Sequence, residues 1–219
     1  MSPPKFPIHK QRALAIRAAV AAAALVFWFW TQSWIGARAL PGSRIDDGLL
    51  AATSAINSYL QIHLRIANAL LIVSSAFIDL LGIFLLSKWV FGGLLRPFLG
   101  LAIVLGLRQM MQALVALPAP ANAIWHDPGF PSLLVTYGVS NDYFFSAHTS
   151  IAVLGATEFA RMGRRWLTAL GVVVVVFEVV TVLVLRAHYT MDVFTGAITA
   201  LYAAYLADRI SNHLERRPG

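Results

Sequence analysis

Hydrophobic residues run along this chain in long blocks, separated by short polar or basic breaks. The blocks fall at about residues 13–36, 66–87, 98–117, 144–159, 166–185 and 190–207. An α-helix crosses a bilayer in ~20 residues, so the pattern predicts six transmembrane helices. The first block contains an aromatic cluster near its end (Phe27, Trp28, Phe29, Trp30, Trp34) of the kind that marks a membrane–water interface. Residues 48–65 mix polar and apolar positions and predict an interfacial amphipathic helix. Residues 37–47 and 118–143 carry the turn formers Pro, Asn and Asp and predict loops. No internal repeat is visible.

The breaks between the blocks set an orientation. With the N-terminus in the cytoplasm, the Lys5–Arg12 tail, the Lys88–Arg96 turn, the Arg161–Arg165 turn and the Arg209–Arg217 tail share the cytoplasmic side, as the positive-inside rule expects. Segments 37–65, 118–143 and 186–189 then lie outside. The expected architecture is all-α: a polytopic membrane protein with one domain over residues 1–219. Residues 1–12 and 208–219 are cytoplasmic tails, and 13–207 form the bundle. The first block is long for a cleavable signal and reads as a retained span.

Composition sharpens this picture. The 219 residues are 58% hydrophobic and only 12% charged, against ~25% charged in soluble domains. The net charge of +7 sits at span ends, which argues against nucleic acid as a partner and for membrane lipids. With no cysteine, thiolate nucleophiles, disulfides and Cys-based metal sites are excluded. The chemistry expected below calls for no metal and no cofactor. Nothing in the sequence fixes an oligomeric state.

Within the hydrocarbon stand two histidines, in Ser146-Ala147-His148-Thr149 and His188-Tyr189-Thr190-Met191-Asp192. Ionisable groups inside membrane spans are costly and are kept mainly for function. The chain between the two can cross the bilayer and return, so both reach the outer face. Asp192 follows His188 by four residues, a helical contact distance. An aspartate bonded to one imidazole nitrogen would leave the other free to attack, and His148 would protonate the leaving group. The plainer alternative is a His–Asp bond that only tethers helices.

These residues resemble sphingomyelin synthases. Asp142-Tyr-Phe-Phe-Ser146-Ala-His148-Thr149 is similar to their third motif, and His188-Tyr-Thr-x-Asp192-Val193 to their fourth. Arg108 with Leu117-Pro118-Ala119-Pro120 is similar to the second. The resemblance covers about residues 98–207 and departs at Ala147 and Asn141, where the motif has glycine. That family belongs to the type-2 phosphatidic acid phosphatase (PAP2) superfamily. The resemblance implies a PAP2-like bundle, with His188 as nucleophile, Asp192 as its orienter and His148 as general acid, acting through a phosphohistidine.

Other positions are candidates for substrate binding. Arg108 lies ~13 Å below the outer end of its helix at ~1.5 Å per residue and could clamp a phosphate, or pair with Glu178 or Asp79. Arg186 is a second clamp or a solvated end charge. Asp142, Ser146 and Tyr189 complete the expected substrate-binding set, and His126 and Asp127 occupy the outer loop. The surrounding aromatics fit a quaternary-ammonium cage or an interfacial belt. Lys88…Arg96-Pro97 is similar to a phosphate motif of the superfamily but falls on the opposite face, and reads as positive-inside charge.

The expected function is transfer of a phospho-headgroup from a phospholipid to a lipid alcohol, ceramide or diacylglycerol. If water takes the place of the alcohol, the chain is a lipid phosphate phosphatase or phospholipase C-like hydrolase. The reading from another class is a non-catalytic lipid binder or transporter.

Overall fold

The structure is a computed structural model and describes residues 8–37, 45–137 and 143–215. It is all-helical there: α1 (Ile8–Gly36), α2 (Gly48–Ala52), α3 (Ser54–Ile62), α4 (Leu64–Val90), α5 (Leu95–Leu114), α6 (Ala147–Arg161), α7 (Arg165–Val184) and α8 (Thr190–Glu215).

The six hydrophobic blocks all become helices, but among the described residues only four helices are long and apolar enough to cross a membrane: 10–36, 64–90, 95–114 and 165–184. The six-span expectation is corrected at α6 and α8. With 15 residues, α6 is ~22 Å long at 1.5 Å per residue, short of a ~30 Å hydrocarbon core. It packs against α4, α5, α7 and α8, and every residue from His148 to Gly155 is buried. A helix wrapped in protein needs no apolar coat. α8 is long, but Thr190, Asp192, Thr195, Gly196 and Thr199 dilute its apolar character. Its small residues Gly196, Ala200, Ala203, Ala204 and Ala207 turn inward. By contrast, Leu80, Ile83, Val172, Val173 and Val176 on α4 and α7 face outward, the surface a lipid solvent would cover.

The expected amphipathic helix over 48–65 is two short helices, α2 and α3, divided at Thr53. Asp47 caps α2 by accepting the Leu49 and Leu50 N–H groups at 3.0 and 3.1 Å, as N-cap aspartates do.

Two glycines set how closely the central helices approach. A Cβ on Gly171 of α7 would lie 2.8 Å from Ala156 Cα on α6. One on Gly196 of α8 would lie 2.6 Å from the Ser146 carbonyl oxygen. Both neighbours are backbone or bonded tightly to it, so only glycine fits.

The two ends of the bundle differ chemically. At one, buried Glu158 on α6 accepts from Arg96 at 2.9 and 3.0 Å and from Lys88 at 3.3 Å. Arg161 makes a two-pronged pair with Asp208. Lys88 and Arg96 therefore serve an interhelical ion-pair network. The other end carries the C-terminal halves of α1 and α5, the starts of α6 and α8, and both histidines.

Candidate active site

The starts of α6 and α8 are joined by backbone. Ser146 N–H donates to the Asp192 carbonyl at 3.1 Å, and Ser150 Oγ donates to the carbonyls of Ser146 (2.8 Å) and Gly196 (3.0 Å). The two histidine motifs, far apart in sequence, thus meet at one point. Ser146 is fully buried, and its hydroxyl caps α6 by accepting from Thr149 N–H at 3.3 Å.

His148 and His188 line one cavity with Arg108, Trp28, Trp125 and Tyr143. Both histidines are 5% exposed and Arg108 is 3% exposed. The loop segment 134–136 closes one side. Asp79 holds that segment, accepting the Leu133 and Leu134 N–H groups at 2.7 and 2.9 Å.

His188 Nδ1 lies 2.8 Å from the Tyr143 carbonyl oxygen. A carbonyl only accepts, so Nδ1 carries a proton, which in the neutral ring leaves the lone pair on Nε2. Asp192 Oδ2 is farther from Nδ1, at 3.7 Å, beyond a hydrogen bond. The i,i+4 expectation assumed that His188 is helical, whereas α8 begins at Thr190. Asp192 instead reaches back one turn and accepts the Tyr189 N–H at 2.9 Å, the return half of a capping box. Its Oδ1 is buried with no hydrogen-bond partner among the described residues. Asp192 therefore stands beside His188 without bonding to it and fixes the helix start.

His148 meets the edge of Trp125 at 5.3 Å between ring centroids. Its Nε2 is buried and makes no hydrogen bond to the described residues. Arg108 donates through Nε to the Phe145 carbonyl at 3.1 Å and through Nη1 to Gln112 at 3.2 Å. Its guanidinium also stands 5.6 Å from the Trp28 ring. Of its anticipated partners, Glu178 accepts from Ser74 at 2.6 Å, and Asp79 is the loop anchor described above.

The remaining anticipated residues lie at the site's margin. Tyr189 is buried, and its hydroxyl donates to the Pro118 carbonyl at 3.0 Å, which ties the Leu-Pro-x-Pro segment to the His188 turn. Arg186 donates to the carbonyls of Ala121 (2.7 Å) and Leu50 (3.2 Å). It braces the outer loop against α2 and does not line the cavity with the histidines. Asp142 lies outside the described residues. His126 pairs with Asn68 at 2.8 Å, and Asp127 caps the turn at Gly129. Among the described residues no cluster of three or more His, Cys, Asp or Glu could hold a metal ion.

Two residues at this end carry no sequence motif. Asp47, besides capping α2, accepts the Thr190 N–H and hydroxyl at 2.6 Å each, so one carboxylate ties α2 to the start of α8. Burial raises its pKa, but the bonds from Thr190, Leu50 and Leu49 outweigh burial and hold it below the usual 3.8. Trp28 sits in a cluster that reads as an interfacial belt, yet it is 5% exposed and walls the cavity. No local signal marks either residue, because each acts on sequence-distant partners.

A family model described as AtPDCT1/2 matches residues 45–209, well over half of the chain. The chain belongs to the AtPDCT1/2 family. The match includes Asp47, Arg108, His148, His188 and Asp192, and leaves out α1. Over 199 residues the chain is 23% identical to phosphatidylcholine:diacylglycerol cholinephosphotransferase 1 of Arabidopsis thaliana, covering 90% of this chain and 64% of that protein. The chain thus spans just under two thirds of the length of that curated relative. No solved structure matches it.

Proposed function

We propose that this protein is an integral membrane phosphotransferase that moves a phosphate-linked headgroup from a phospholipid to a lipid alcohol. The observation that carries this reading is the convergence of His148, His188 and Arg108 on one cavity, with His188 Nδ1 committed to a backbone carbonyl. The Arabidopsis relative is named for phosphatidylcholine, diacylglycerol and cholinephosphotransfer. Phosphatidylcholine is accordingly the donor we assign and diacylglycerol the first acceptor, with ceramide the acceptor that the sphingomyelin synthase resemblance adds.

In the first step His188 Nε2 attacks phosphorus and the bond from phosphorus to the glycerol oxygen breaks. His148 gives its proton to that oxygen, and diacylglycerol leaves. The phosphocholine group is now bonded to His188. In the second step the acceptor hydroxyl yields its proton to His148 and its oxygen attacks phosphorus. The P–N bond breaks, and both histidines return to their starting states. Arg108 balances charge on the non-bridging oxygens, where a guanidinium binds best. Asp192, 3.7 Å from His188, favours the cationic ring that exists while the phosphorus–nitrogen bond is in place. These are the roles expected of a PAP2-type site. On the positive-inside argument, the site opens to the non-cytoplasmic leaflet.

The test is a mass-spectrometric lipid assay on purified protein in vesicles of phosphatidylcholine with isotope-labelled diacylglycerol or ceramide. Labelled phosphatidylcholine or sphingomyelin is the expected product, absent in His148→Ala and His188→Ala. Free phosphocholine without a labelled lipid would make water the acceptor and the protein a hydrolase. No product of either kind would contradict the enzymatic reading.

A further inference from the structure

α1 meets the bundle through one narrow strip. Its buried residues are Trp28, Gln32 and Ile35, while Phe27, Phe29, Trp30 and Trp34 beside them are exposed. Gln32 is tied in on both sides, donating to Thr136 at 3.1 Å and accepting from Gln109 at 2.8 Å. Ile35 is apolar. Trp28 is different. It lines the cavity of Arg108, His148 and His188, and its indole Nε1–H is buried without an acceptor among the described residues.

An indole nitrogen is a donor only, and a buried donor left unpaired carries its full desolvation penalty. Such a group in a folded protein calls for an explanation. Filling space, or laying a ring beside the Arg108 guanidinium, needs only the aromatic face, which phenylalanine supplies without the penalty. His148 Nε2 at the same cavity is also unpaired. An unpaired indole donor on a residue that lines the cavity, with the Arg108 guanidinium at the same cavity, matches a ligand that carries anionic oxygen.

We infer that Trp28 is a substrate-binding residue whose indole N–H donates to a non-bridging oxygen of the phosphate that Arg108 holds. The inference rests on the headgroup-transfer reading for what that phosphate belongs to. It makes α1, which lies outside the residues matched by the family model, part of the active site.

The test removes the donor at constant shape. Benzothienylalanine at position 28 replaces the N–H with sulfur, and Trp28→Phe keeps only ring bulk. Phosphocholine transfer is measured for each. In parallel, the indole ¹H–¹⁵N resonance of Trp28, assigned by its absence in Trp28→Phe, is followed as short-chain phosphatidylcholine is added to saturation. The isostere is expected to lose about 10- to 100-fold in kcat/KM, the range of a hydrogen bond to a charged group, with a melting temperature equal to or above that of wild type, because the unpaired donor's desolvation penalty is gone. The indole proton should move downfield. An isostere with undiminished kcat/KM, or a resonance unmoved at saturation, overturns the assignment and leaves Trp28 a wall. If the wild-type protein transfers nothing, that failure belongs to the transfer reading, and the resonance alone decides for Trp28.

Discussion

Replacing Asp47 with alanine removes one carboxylate that serves two helices. Its Oδ1 accepts from Leu49 N–H, Leu50 N–H and the Thr190 hydroxyl, and its Oδ2 accepts from Thr190 N–H. Loss of an N-cap costs about 1 kcal/mol. The two Thr190 bonds, made to a charged acceptor at 2.6 Å, are each worth about 1.5 kcal/mol at the low end of their range. Water reaches this half-exposed site and recovers part of that, so the expected loss is about 2–3 kcal/mol. Thr190 is two residues from His188, and a misplacement of about 1 Å at a reacting group can cost 100-fold. Turnover should therefore fall by about tenfold or more, beyond what the stability loss alone would cause in a protein that remains folded. The pH dependence has a definite sign. Asp47 is held below its usual pKa when folded, so its contribution is complete above the unfolded value and fades as pH falls through the folded one. The melting-temperature gap between wild type and Asp47→Ala should be widest at neutral pH, begin to narrow below about pH 4 and shrink further as pH falls through the lower folded pKa. Thermal unfolding in detergent across pH 3–8, with transfer assayed at pH 7, measures both. A variant that melts and turns over like wild type at neutral pH would refute the clamp.

Further substitutions probe the same geometry. Arg108→Lys should fail nearly as badly as Arg108→Ala, by about 2–4 kcal/mol in transition-state stabilisation, because an ammonium lacks the planar fork; kcat and KM on both variants check it. Gly196→Ala should push α8 away from the Ser146 carbonyl, since its Cβ would stand 2.6 Å from that oxygen. It should cost about 1–3 kcal/mol of stability and most of the activity, read by thermal unfolding and transfer assay. Single cysteines introduced into this cysteine-free chain report orientation: one at Asn122 should label from the non-cytoplasmic side and one at Gly163 should not.

Much of the helical layout and the two histidines are legible in the sequence for one physical reason, the cost of placing polar groups in hydrocarbon. That cost makes the apolar blocks visible and makes His148, near the start of one block, and His188, just before another, conspicuous beside them. The same reasoning overcounts spans at α6 and α8, because it treats lipid as the only apolar solvent. α6 is sheltered by other helices, so fifteen residues and several polar side chains suffice there. Spacing logic misplaces the partner of His188 because it needs the helix to start two residues earlier than it does. Backbone contacts leave no mark in the side-chain alphabet, so the Tyr143 carbonyl has no sequence signature. Asp47 and Thr190 are 143 residues apart, and only the fold brings them together. Trp28 is hidden by its neighbours, being the inward member of a cluster whose other aromatics face out.

The most direct measurement is the site of covalent modification during turnover. Protein mixed with phosphatidylcholine and no acceptor alcohol is quenched in alkali, which preserves phosphoramidate bonds, digested and examined by mass spectrometry. A phosphocholine adduct on His188, absent in His188→Ala, is the predicted result. An adduct on His148 would reverse the roles of the two histidines, and sustained transfer with neither histidine modified would contradict the covalent mechanism.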